Sequence, residues 1–197
     1  MPTYDQATSA VTSQDDLVCF ATGDNLTAVA IFKIFDTINN QVAASPTFGG
    51  ASMVKQTGAE YNWNTNRWFN LEIWTLDGIS SGSNTFSYDF SDPAIDSEVT
   101  LITISGANNG AGSGVTTVGN DNNPVIIITP QQSESLIVGG GMVGGGDSDP
   151  FSASSITFRT NDATGTNTNL DFGYFDGERS VADITPHSFG ATAAVSD

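Results

Sequence analysis

Along the chain apolar residues alternate with polar ones, or run together for a few positions between clusters of Gly, Asn, Asp, Ser and Pro. The stripe at three- and four-residue spacing that marks an amphipathic helix is almost absent, so the elements expected are strands. They are placed at Leu17–Thr22, Leu26–Thr37, Thr47–Thr57, Trp68–Leu76, Thr85–Phe90, Glu98–Ser105, Pro124–Thr129, Ser135–Val143, Ser155–Thr160, Asn169–Phe175 and Ile184–Ala191. Two of them reveal their faces. In Asn84–Phe90, Phe86, Tyr88 and Phe90 share one side while Thr85, Ser87 and Asp89 share the other, the pattern of a half-buried antiparallel strand. In Trp68–Leu76, Trp68, Glu72, Trp74 and Leu76 lie on one side and Phe69, Leu71 and Ile73 on the other, which predicts burial on both faces or cover by a loop or neighbouring subunit.

About eleven short strands joined by turn residues, with no crossover helix, predict an all-β fold: an antiparallel two-sheet sandwich, jelly-roll-like, forming one domain over residues 1–197. The weakest stretch, GANNGAGSGVTTVGNDNN at 106–123, reads as a surface excursion within that domain. Gly139–Gly141 reads as a strand lying under bulky aromatic neighbours. The following GGGDSDP lacks the Lys-Ser/Thr and the helix of a phosphate loop and reads as a turn.

Composition sharpens this picture. Charged residues are only 14% of the chain, against roughly 25% in an ordinary soluble domain. Hydrophobic residues at 38%, with 12 Phe and 3 Trp, nevertheless call for a packed core rather than disorder. The net charge is −17, with Lys33, Lys55, Arg67, Arg159 and Arg179 as the five cations. Such a chain repels phosphate backbones and anionic lipid, so no nucleic-acid partner and no membrane insertion is expected. The acidity itself has two readings, solubility in a salty medium and divalent-cation binding. The opening MPTYDQATSA has no basic region or apolar stretch, so no standard secretory signal is expected.

Candidate chemistry is thin. His187 is the sole histidine, there is no GxSxG or HExxH, and it is expected at a surface or strand end. Glu72 is not part of a clustered Glu/Asp strand motif of the glucanase kind, so no catalytic residue is assigned and no enzyme is expected. Asp121 in NDNNP and Asp147 with Asp149 in GDSDP are oxygen-rich loops that make calcium the one cofactor candidate, although Asp and Asn are also ordinary turn formers. Tyr61, Trp63 and Trp68 surround the Asn-rich EYNWNTNRW and are the candidate ligand or partner contacts, since aromatics beside amides suit sugar rings and protein interfaces alike. Lys33 in AVAIFKIFD is expected on an edge strand, where lysine discourages unwanted pairing, with a buried pairing to Asp as the alternative. Cys19, alone in the chain, is expected to be a buried thiol.

The succession AVAIFKIFD (Ala28–Asp36), SPTFGGASMVKQ (Ser45–Gln56), LEIWTLDGISSGSNTFSYDFS (Leu71–Ser91) and EVTLITISGANN (Glu98–Asn109) resembles a β-sandwich module of tailed-virus virion structural proteins, bacteriophage type, and of related bacterial surface proteins. PTYDQATSA resembles the module's first strand. The resemblance implies a non-enzymatic virion surface protein: a capsid decoration or turret protein, or a tail-associated one. Its partners would be other virion proteins of the capsid or tail lattice and further copies of itself in a homo-oligomer. The alternative is a carbohydrate-binding, adhesive lectin-like module of an extracellular protein, with a host-surface glycan as partner. The chain departs from the module at its end, FGATAAVSD, where a short last strand or one completed by a neighbouring subunit is expected.

Overall fold

The computed structural model describes residues 2–11, 17–36, 42–64, 67–91, 96–107, 125–144, 148–153, 155–162 and 172–195. Every strand pairing among them is antiparallel, and the described residues contain no helix. The chain forms two compact units, Met1–Gly114 and Val115–Asp197. The boundary falls inside the Gly/Asn-rich stretch that reads, from sequence, as an excursion of one domain.

The first unit contains β1 (Thr3–Val11), β2 (Leu17–Ala21), β3 (Leu26–Asp36), β4 (Ala43–Phe48), β5 (Ala51–Ser52), β6 (Val54–Asn64), β7 (Arg67–Ile79), β8 (Gly82–Phe90) and β9 (Asp96–Ser105). They build a five-stranded sheet in the order β1-β9-β3-β7-β6 and a four-stranded sheet in the order β2-β8-β4-β5. The continuous apolar run of β3 is explained by its place: it is the middle strand, and all eleven of its residues are buried. Ala28, Ala30, Phe32 and Ile34 face the second sheet and share a core with Val99 and Leu101 from β9 and with Phe48, Phe86, Tyr88 and Phe90. The β8 alternation is as the sequence predicts. Phe32 ties the sheets together, its ring centroid 6.0 Å from Phe86, 5.4 Å from Tyr88 and 6.3 Å from Phe90.

One expected strand, Thr47–Thr57, is three pieces. Gly49 and Gly50 both adopt positive φ, 57° and 79°, and turn β4 back into the two-residue β5. Met53, buried, then carries the chain from the second sheet into β6 of the first, held by its N–H bonding the Pro46 carbonyl at 2.9 Å. Apolar content hides such a break, because a turn and a strand residue are told apart only by φ. Lys33 requires a correction. It sits in the central strand, not at an edge, and is fully buried.

The second unit contains β10 (Val125–Ile128), β11 (Ser135–Gly144), β12 (Ser148–Ser152), β13 (Thr157–Asp162), β14 (Phe172–Val181), β15 (His187–Gly190) and β16 (Thr192–Val195). β11-β14-β13 form one sheet, and β10-β15 and β12-β16 form strand pairs. Ile137, Phe151, Phe175, Val181, Phe189 and Ala191 make its core. The glycine run of β11 works as expected: a Cβ on Gly139 would stand 2.9 Å from the Phe189 ring, and one on Gly141 would stand 2.5 Å from Phe175, its cross-strand partner. The C-terminal strands are short, four residues each.

Because Phe32 bridges both sheets, Phe32→Ala is expected to cost about 3–5 kcal/mol in urea unfolding. Gly141→Ala is expected to lower the unfolding midpoint of the second unit, since the added methyl must displace Phe175 from its contacts with Phe151 and Phe158. Tyrosine and tryptophan fluorescence read the first variant, and hydrogen exchange within Val115–Asp197 reads the second.

Candidate functional site

The β6–β7 hairpin carries the candidate contact residues. Antiparallel register sets Tyr61 opposite Phe69, Asn62 opposite Trp68 and Asn64 opposite Arg67, with Trp63 at the irregularity between Asn62 and Asn64. The three aromatic positions are thus neighbours at one end of the hairpin, and β6 is the last strand in its sheet order. Trp68 is half-buried; the side chains of Tyr61 and Trp63 lie outside the described residues.

Farther along β7, alternation continues the Trp68 face through Asn70, Glu72 and Trp74. Glu72 is fully buried. Its carboxylate accepts hydrogen bonds from Asn70 Nδ2 at 3.1 Å and Trp74 Nε1 at 2.8 Å, and pairs with Lys55 Nζ at 2.9 Å. Gly58 makes this geometry fit. It is the register partner of Glu72, and a Cβ there would stand 2.9 Å from Lys55 Cε and 3.1 Å from Nζ, so the lysine arm crosses the space the missing side chain leaves. The buried carboxylate, with these three donors around it, ties β6 to β7.

On the opposite face of the same sheet, Lys33 Nζ lies 3.2 Å from Glu98 Oε2 and donates to Thr100 Oγ1 at 3.0 Å. Lys33 and Glu98 are direct register partners, so the pair staples β3 to β9 inside the apolar layer of Ile31, Phe35 and Ile102. The partner is a glutamate, where the sequence suggested aspartate. In the second unit Arg159 makes a two-pronged bond to Glu178, Nε to Oε2 at 2.6 Å and NH2 to Oε1, linking β13 to β14. Arg179 donates to the Ser188 carbonyl and lies 3.4 Å from His187 Nδ1, while His187 Nε2 is 2.9 Å from Asp183. The imidazole thus sits between a guanidinium and a carboxylate. His187 begins β15 and is half-buried, the strand-end position expected of it.

Two aspartates are tuned by donors. Burial pushes the Asp5 carboxyl up, but hydrogen bonds from the Thr22 hydroxyl, the Thr22 N–H at 2.8 Å and the Thr103 hydroxyl at 2.9 Å outweigh it, so the group ends below its ordinary value. Asp5 occupies the β-bulge between Tyr4 and Gln6, which frees it from the ladder to reach both partners. Asp183 is held below its ordinary value first by the Thr185 hydroxyl, then by the Thr185 N–H and by His187.

Of the calcium candidates, Asp121 and Asp147 lie outside the described residues. Asp149 is in β12 opposite Ala194, its side chain likewise outside the description. Among the described residues no three His, Cys, Asp or Glu side chains converge as a metal site. Sequence reasoning noticed Glu72 as a carboxylate on an otherwise bulky face but missed its partners. Lys55 lies seventeen positions earlier, and only the register, with its shift between Lys55 and Thr57, brings it there.

No family model, no curated protein and no solved structure matches the chain.

Lys33→Met leaves Glu98 buried without its cation and is expected to cost about 3–5 kcal/mol, while Lys33→Met/Glu98→Leu recovers most of the loss. A double-mutant cycle by urea unfolding measures this, and a double variant no better than the single would reject the pair as a unit. For Asp5 the unfolded carboxyl binds its proton more tightly than the folded one. Stability is therefore full above the ordinary aspartate value and declines over the interval in which pH falls through that value and below it. Asp5→Asn is expected to be less stable at neutral pH and to lose less over that interval, read from urea midpoints across pH.

Proposed function

We propose that the chain is a non-enzymatic structural protein of a virion surface, a capsid decoration or tail-associated component, whose first unit is a jelly-roll-like sandwich that docks on a lattice. The observation that carries this reading is how charge is distributed. Lys33, Lys55 and Arg159 are each bound to a buried glutamate, and Arg179 to a backbone carbonyl. Asp24, Asp77, Asp89 and Asp183 are exposed, among Ser, Thr and Asn. With net charge −17, the outside is left anionic and hydroxyl-rich while the cations brace the sheets. That combination suits a passive, soluble coat that resists nucleic acid and non-specific adhesion. The resemblance over Ala28–Asn109 falls within the first unit and supports the same reading.

A second reading, an adhesive module that binds a host-surface glycan, is favoured by the hairpin that gathers the Tyr61, Trp63 and Trp68 positions at the end of an edge strand.

Quantitative mass spectrometry of purified particles is expected to find the protein in fixed stoichiometry with the major capsid or tail protein; absence from particles rejects the virion reading. On a glycan array, Trp63→Ala is expected to abolish any binding at an unchanged melting temperature. A large fall in melting temperature would instead assign Trp63 to the core.

A further inference from the structure

Joining two side chains by an amide takes an amine, a carbonyl carbon with a group to lose, and something between them to move protons. The β6–β7 hairpin holds all three. Glu72 Oε2 is anchored by Trp74 Nε1 at 2.8 Å. The other oxygen, Oε1, takes Lys55 Nζ at 2.9 Å and Asn70 Nδ2 at 3.1 Å. One carboxylate oxygen thus binds both the amine and the carboxamide nitrogen. Glu72 and Asn70 are 0% and 1% exposed, so the carboxylate and the carboxamide are walled off from bulk water. The lysine reaches them from outside, its side chain 38% exposed. Lys55 stands opposite Trp74, and its arm crosses the gap at Gly58, opposite Glu72. Along β7 that course leads from Trp74 past Glu72 toward Asn70.

We propose that Lys55 and Asn70 become joined by an isopeptide bond, Nζ to Cγ, with Glu72 as the proton carrier. Nζ attacks Cγ, the Cγ–Nδ2 bond breaks, and the nitrogen leaves as ammonium. Nζ starts as an ammonium group, gives up two of its protons and keeps the third on the new amide. Glu72 receives each of the two on Oε1 and passes it to Nδ2, so the carboxylate ends as it began. The step consumes no second substrate and needs no oxidant. Holding both reactants on one oxygen makes it intramolecular, and the atom that must be protonated to leave is the one Glu72 already binds. The other buried pairs are made differently. Lys33 and Glu98 have the hydroxyl of Thr100 as third member, and Arg159 brings Glu178 a guanidinium, which stays charged and is no nucleophile. The bond closes a ring of chain around the hairpin end that carries Tyr61, Trp63 and Trp68. It also secures β6, the last strand of its sheet, beside the register shift between Lys55 and Thr57 that interrupts the ladder. The inference does not rest on the virion reading.

Intact mass spectrometry of the full chain, after prolonged incubation in the folded state, reads the bond as a loss of one ammonia, about 17 Da, from the sequence mass. Complete trypsin digestion should then leave fragment 34–67 uncut at Lys55 and attached to fragment 68–159, with the branch at Lys55 and Asn70. Lys55→Arg, which keeps a cation for Glu72 but removes the amine, should fold and show its full mass. Glu72→Gln should form the bond about a hundredfold more slowly or worse, followed from freshly synthesised chain. A parent chain that stays at full mass overturns the proposal, whatever the variants do. So does an ammonia loss that maps to another pair or persists in Lys55→Arg. Linkage of Glu72→Gln at the parent's rate overturns the proton-carrying role.

Discussion

A strand buried on both faces must supply an internal partner for every polar group it carries, and β3 is such a strand. Its one charged side chain between the terminal residues, Lys33, has the carboxylate of Glu98 directly across the ladder and the hydroxyl of Thr100 beside it. A lone ammonium in that layer would be strongly destabilising, so β3 and β9 are bound to this register: a slip of one residue would send Lys33 and Glu98 to opposite faces. With β3 and β9 aligned, Phe32 meets the aromatic row of β8, and the two sheets close around it.

The same device recurs on chemically similar terms. Glu72 with Lys55 joins β6 to β7, and Glu178 with Arg159 joins β13 to β14. Three of the five glutamates are buried this way; Asp36 and Asp176 are buried as well, whereas Asp24, Asp77, Asp89 and Asp183 are exposed. Lys33, Lys55 and Arg159 thus each brace a buried glutamate.

In the second unit, compactness rests on absent side chains. Gly139 and Gly141 let Phe189 and Phe175 lie flat over β11, and Gly177 lets β13 approach β14 where a methyl would strike the Thr157 carbonyl. Aromatic rings here fill the space that glycine leaves, a packing solution with little need for charge.

The period-two alternation by itself determined that the chain is all-β, that Phe86, Tyr88 and Phe90 face inward together, and that Glu72 shares a face with Trp68 and Trp74. Those properties follow from neighbours along one strand, and side-chain direction alternates in any strand whatever it pairs with. The glycine run under aromatics was legible for the same local reason. Which strand lies beside which was decided only by tertiary structure. Lys33 reads equally well at an edge or in a centre until β3 has β7 and β9 on its two sides, and the TFGG turn cannot be told from a strand without the φ of Gly49 and Gly50. Lys55 meets Glu72, and Arg159 meets Glu178, because register and bulges place them there. Such pairings depend on free energies summed over the whole sheet, and no local pattern in either partner records the other.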